Sequence, residues 1–316
     1  MVWATGTGVY RFEQAWWAIA EGADRYVLLE VRLPRVVMAV LIGSGLAVAG
    51  GSLQGLFRNP LATPDLIGVN AGATLMAAFT IVLGDNLRQY LPEFLHFSLL
   101  SLAAFLGALG AIYLVYRVAT SKGKTDVVIM LLSGVAISAL GFALVGLLTY
   151  MAKDDQLRDL TFWNLGSVGA ATWKKNAILF GVLASTYAYL LPQGKALNAL
   201  MLGEKDAEHL GVAVEKVKRR TVLCVALLVG TSVAFAGSIS FIGLVVPYVL
   251  RLWIGSSYVY LLPFSAVWGG SLLLASDTIS RTAAAPAELP VGILTALIGA
   301  PGFIMILLQY KKSKRW

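Results

Sequence analysis

The chain has 316 residues, 58% of them hydrophobic and only 13% charged, with a mean hydropathy of +0.76 and a formal net charge of +8. A water-soluble domain is roughly a quarter charged, so this composition excludes an ordinary soluble body and requires lipid as solvent for much of the surface. The basic residues fall between apolar runs, which makes them markers of membrane orientation rather than of nucleic-acid binding.

Residues 1–30 are polar and aromatic and lack the continuous apolar core of a signal peptide. A spanning helix needs roughly 20 mostly apolar residues, and about nine runs qualify: 34–57, 66–84, 95–117, 126–150, 176–201, 219–236, 241–254, 258–280 and 289–310. The predicted fold is thus an all-α integral membrane protein with one transmembrane domain over 1–316. Pro34 suits the first turn of the first helix, where a missing N–H costs nothing. Asn59-Pro60 and Pro64-Asp65 mark a turn after that helix. A polar stretch at 150–173 follows the fourth run. The longest polar stretch is 195–220, where Glu204–Leu210 is predicted as a short helix with Gly211 as its stop. It reads equally as an amphipathic loop or as a docking element. The run 241–254 is short, follows Gly237-Ser238 and contains Pro247, so it is tilted, kinked or partly spanning. Asp277 is the one acid near membrane depth. A structural pair is favoured for it over a proton relay, because Ser276, Thr278, Ser280 and Arg281 are close in sequence. The lone Cys224 excludes an internal disulfide, and His96 and His209 show no metal-ligand spacing.

Alternating the runs with the C-terminus inside puts fifteen of the 25 basic residues inside, against six acidic ones. The opposite orientation violates the positive-inside tendency. Nine spans then leave residues 1–30 outside, with nothing in the chain to export them.

Five segments, in order, resemble the bacterial permeases for iron-siderophores, haem and cobalamin, which are the membrane subunits of binding-protein-dependent ABC importers. They are RLPRVVMAVLIGSGLAVAGGSLQGLFRNPLATPDLIGVNAGATL (32–75), FWNLGSVGAATW (162–173), LNALMLGEKDAEHLGV (197–212), AGSISFIGLVVPYVLRL (236–252) and ELPVGILTALIGAPGFIMILL (288–308). The resemblance covers the chain from residue 30 onward.

It implies ten spans per subunit and two copies of the chain around a central path. It also implies two cytoplasmic ATPase subunits, an extracytoplasmic binding protein, a metal-chelate substrate and a bacterial cytoplasmic membrane. The family's first helix normally precedes a segment like 8–22, and here seven residues do, so a further apolar run is predicted upstream. Arg32, Arg35 and Arg281 match positions that accept acidic residues of the binding protein; snorkelling to headgroups is the plainer alternative. Gly203, Glu204, Ala207, Leu210 and Gly211 match the helix that couples to the ATPase, within a cytoplasmic segment 197–212. Gln54 and Asn70 are candidates for an inner gate, or equally for helix-helix glue. Lys153 and Asp154 (with Asp155) are candidates for the substrate entrance. No metal site, no cofactor in this chain and no nucleic-acid partner are expected. The sequence holds no G-x-x-x-x-G-K-[ST], so MgATP would be bound and hydrolysed by the partner. An ion-coupled secondary transporter is the alternative.

Overall fold

The structure is a computed structural model that describes residues 23–88, 98–283 and 287–313. His96 and residues 1–22 of the predicted external segment lie outside the described residues. Each of the nine predicted runs is helical where it is described. The first starts earlier than expected: a turn at Ala23–Tyr26 and a π-helical segment at Val27–Arg32 lead into α1, Leu33–Leu56. Pro34 has no N–H to offer the carbonyl four residues back, and the backbone ahead of it winds as a π-helix instead of beginning there.

There follow α2 (Val69–Arg88), α3 (Leu99–Ala119), α4 (Val127–Met151), α5 (Asp154–Leu165), α6 (Trp173–Leu190) and α7 (Gly194–Leu202). The chain continues through α8 (Glu204–His209), α9 (Val214–Ala236), α10 (Ile242–Ile254), α11 (Tyr258–Ala283) and α12 (Val291–Ser313). Among the described residues, six helical stretches are long and apolar enough to span a bilayer, and Val69–Gly84, Ile242–Ile254 and Val291–Ile304 are shorter apolar helices. The chain is therefore a multi-pass membrane protein. The run 176–201 is two helices, α6 and α7, joined by a 3-10 turn at Leu191–Gln193.

α1 is the central helix. In its most apolar window 83% of residues are buried, against 17% in α4. α6, α9, α10 and α11 pack around α1, while α2, α3 and α4 form a second layer joined to it through α9. Lipid tails are as apolar as leucine, so helices associate here through close backbone approach at small residues. A Cβ on Gly50 would lie 1.8 Å from the Gly243 carbonyl oxygen of α10, and one on Gly43 would lie 2.3 Å from that of Gly269 in α11. α4 carries Val128, Leu132, Val135, Leu140 and Phe142 on an exposed apolar face.

Two connections are irregular. Between α1 and α2 the chain turns through Arg58–Thr63 and a 3-10 helix at Pro64–Ile67. Between α9 and α10 it runs from Gly237 to Phe241, both with positive φ. Gly243, at the start of α10, lies against Leu46 and Gly50, well inside α1. α10 therefore begins partway along the bundle, and its 13 residues rise about 20 Å. The run 241–254, expected to be tilted, kinked or partly spanning, is thus a 13-residue helix. Phe241, a bulky residue in the left-handed region, is held there by packing on α12, where the backbone of Gly299 leaves room for it.

At the end carrying the basic loops, α3 and α4 are joined by a two-stranded hairpin, β1 (Thr120–Ser121) and β2 (Lys124–Thr125). Lys122 and Gly123 both have positive φ, as a tight hairpin turn requires. Asp126 then caps α4 by accepting from Val128 N at 2.8 Å and Ile129 N at 3.1 Å.

Candidate functional site

The predicted site residues fall into three groups along the bundle, with Lys153 and Asp154 apart from them. At the end opposite the basic loops, the three arginines converge. Arg35 of α1 is clamped on Asp277 of α11, with Nε to Oδ1 at 3.0 Å and Nη2 to Oδ1 at 2.9 Å. Its Nη1 donates to Glu288 Oε2 at 2.7 Å. Arg281, one turn after Asp277, places Nε 3.2 Å from Asp277 Oδ2. The Asp277 side chain is fully buried, whereas that of Glu288 is half exposed. Arg32 and Arg281 are also buried. The guanidinium fork matches a carboxylate edge, and here it joins α1 to α11 across 242 residues of sequence. Asp277 is thus the structural pair that its neighbourhood indicated. Its main partner, Arg35, is one the local sequence could not name.

The second group lies at the irregular connections. Gln54 is fully buried, with Nε2 near the carbonyls of Gly243 at 3.4 Å and Leu244 at 3.3 Å. Its Oε1 accepts from Arg251 Nη2 at 3.1 Å, and that same nitrogen donates to Tyr258 Oη at 2.9 Å. The amide therefore ties α1 to both ends of α10. Asn70, at the start of α2, donates to Asp65 and, at 3.3 Å, to Ser238 Oγ. A small cavity lies here between Asn70, Asp65, Leu46, Val233 and Phe241. Gln54 thus meets the broken region at the head of α10, and Asn70 meets it at Ser238.

Lys153 and Asp154 start α5 and are exposed. Lys153 N donates to Gln156 Oε1 at 3.0 Å, and Gln156 Nε2 donates to the Val82 carbonyl at 3.3 Å, which fixes α5 to α2. These two residues do not approach Gln54 or Asn70 in any described contact.

The third group is the segment 197–212. α7 and α8 meet at Gly203 (φ +134), and α8 ends in a motif where Gly211 (φ +83) takes the left-handed position. Gly211 N donates to the Glu208 carbonyl at 2.9 Å and Val212 N to the Ala207 carbonyl at 3.0 Å, which satisfies the final turn. Ala207 is fully buried beneath α8, whereas Leu210 and Leu202 expose about two thirds of their surface, 64% and 67%. Glu204 accepts from Lys218 Nζ at 2.8 Å. Sequence reasoning overlooked Lys218. It lies in a basic run, LysValLysArgArg at 216–220, and counted only among the basic residues that set orientation, yet its side chain is 2% exposed.

The sequence profile described as the FecCD transport family matches residues 2–309. The hemin transport system permease protein HmuU of Yersinia pestis is 41% identical over 303 residues, covering 96% of this chain and 89% of HmuU. The cobalamin import system permease protein BtuC of Halobacterium salinarum is 39% identical over 277 residues, 88% of this chain and 72% of BtuC. A solved structure described as an inward-facing conformation of an ABC transporter of metal-chelate type superposes with a TM-score of 0.86 at 32% identity, covering 98% of this chain and 94% of that one. With a profile that spans nearly its whole length, relatives at about 40% identity and the same arrangement of helices, this chain belongs to the FecCD transport family.

Proposed function

We propose that this chain is the permease subunit of a binding-protein-dependent ABC importer for haem, cobalamin, an iron-siderophore or a similar metal chelate. Two copies would form the path. Two ATPase subunits would dock at the basic end, which faces the cytoplasm together with the C-terminus of the chain, and a binding protein would dock at the Asp277 end. MgATP belongs to the ATPase partner.

The observation that carries this reading is α8. It is a short helix with a buried alanine beneath it and exposed leucines beside it, set between two spans at the end richest in basic residues. A rigid, small-residue element of this kind transmits force from a cytoplasmic partner into the helices it joins. Leu202 and Leu210 offer apolar contact, and Glu204, Ala207 and the two glycines fix the helix. At the opposite end, Arg32, Arg35 and Arg281 supply three positive charges against Asp277 and Glu288, a net excess that suits an acidic partner surface. Asp154 and Lys153 stand at the rim of that face, and Asn70 borders the broken region through which substrate would pass. Gln54 would hold α1 to α10 beside it.

A proton-coupled carrier would need an intramembrane acid able to take up and release a proton. Asp277 is engaged by two guanidinium groups, which disfavours that reading. Reconstitution with the cognate ATPase and binding protein, followed by uptake across a panel of haem, cobalamin and siderophores, is the test. ATP-dependent accumulation of one of them is expected. Accumulation driven by an ion gradient without the ATPase would overturn the proposal.

A further inference from the structure

Lys218 is the most deeply buried basic residue among the described residues, and it makes three bonds to three different elements. Its ammonium donates to the Thr125 carbonyl in β2 at 2.8 Å, to Glu204 Oε2 in α8 at 2.8 Å, and to Glu215 Oε1 in its own helix α9 at 3.1 Å. An ammonium has three protons, and this one has three acceptors. Glu215 uses its other oxygen, Oε2, to accept from Thr125 N at 3.0 Å. Both backbone polar groups of Thr125 are therefore held by α9 side chains, and Glu204 joins the cluster from α8.

A solvated surface lysine would not be arranged in this way. Burying an ammonium is costly unless it is paired and fully hydrogen-bonded, and the basic run around Lys218 offered exposed alternatives. The cluster also has a direction. α8 lies between α7 and α9 in the chain, so it is joined covalently to both. The α3–α4 hairpin is about 80 residues earlier and has no covalent route to α8 except through two spans. Lys218 supplies a short polar route between them.

We infer that Lys218 is a positioning residue for coupling: it locks α8 to the α3–α4 hairpin and to α9, so that displacement of α8 by the ATPase moves those three elements as one body. The inference rests on the reading of α8 as the coupling element. The two limbs of the clasp are separable. Glu204 belongs only to the α8 limb, since the Lys218–Glu215–Thr125 contacts do not involve it. Removing its charge detaches α8 while leaving the hairpin tied to α9.

The test uses the complete importer in liposomes and measures substrate accumulated per ATP hydrolysed. Glu204→Gln and Lys218→Gln are each expected to lower that ratio about tenfold, the scale of one charged hydrogen bond, while ATP hydrolysis continues. The double variant is expected to be no worse than Lys218→Gln, because both act through one contact. Glu215→Gln, which weakens the hairpin limb, serves with thermal unfolding of each purified variant to separate coupling from folding. Spin labels on α8 and on the hairpin turn should hold a fixed separation through the ATP cycle in the wild type and lose it in Glu204→Gln. An unchanged ratio in Glu204→Gln and Lys218→Gln overturns the inference, as does a fall in ratio that is additive in the double variant. Failure of the wild-type complex to couple ATP to uptake would instead overturn the proposed function.

Discussion

Asp277 shows how one side chain can carry a disproportionate share of the packing between helices. It is fully buried and pairs with two guanidinium groups, one from α1 and one from α11. Replacing it with asparagine keeps its volume but leaves Arg35 and Arg281 without their shared anion. Losing one member of a buried pair costs about 3–5 kcal/mol, so Asp277→Asn should lower thermal stability in detergent markedly. Glu288 touches the same Arg35 from a half-exposed position, and Glu288→Gln should change stability by less than about 1 kcal/mol. Equal losses for the two variants would contradict the burial argument. Gln54 makes a comparable point with an uncharged group. It satisfies carbonyls at the head of α10 and a cation near its foot. Gln54→Leu should cost about 1–3 kcal/mol through polar groups left without partners, measured by the same unfolding assay.

Among elements, the glycines decide how closely the helices meet. At Gly50 a methyl group would collide with the backbone of α10, and nothing flexible can move aside. Gly50→Ala must push α1 and α10 apart, at a cost of about 1–3 kcal/mol from overpacking. Gly110→Ala, where nothing lies within 4 Å, is the matched control and should be neutral or slightly stabilising. Comparing the melting temperatures of the two variants tests whether backbone approach, rather than glycine content as such, holds the bundle. α8 obeys a related rule. Ala207 is buried beneath it, so Ala207→Leu should lift α8 from its seat and separate ATP hydrolysis from transport. Gly211 has open space around it but a left-handed backbone; Gly211→Ala should therefore act through strain, at about 1–2 kcal/mol, and impair coupling less than Ala207→Leu.

For the whole molecule, the charges sort to the two ends and the apolar surface lies between them. If the arginine cluster receives an acidic binding protein, Arg32→Glu and Arg281→Glu should weaken that association and flatten its dependence on salt, since the attraction of the cluster's net positive charge for an approaching acidic surface is screened within about 10 Å at 0.1 M. Affinity titrations at two ionic strengths, at matched folded fraction, check this. Affinity that stays unchanged and indifferent to salt would remove the cluster from the docking surface. The exposed apolar face of α4 belongs to this scale too. Its composition suits lipid or the second copy of the proposed dimer.

The amino-acid sequence by itself determined the class of the molecule and the placement of its runs. Apolar runs of spanning length, and the loops between them, are properties of consecutive residues, and the bilayer admits few structures for them. The short run at 241–254 and the stop at Gly211 were legible for the same reason, through local backbone chemistry. The resemblance of five ordered segments indicated the family. What only the tertiary structure decided are the meetings of residues distant in sequence. Arg35 read as an interface cation until α11 brought Asp277 to it. Lys218 read as one charge of a basic run until the hairpin and α8 closed over it. Gln54 was an amide of uncertain purpose until α10, starting partway along the bundle, presented its carbonyls. In each case the cost of burying a polar group dictates that a partner exists, but helix packing alone determines which residue it is.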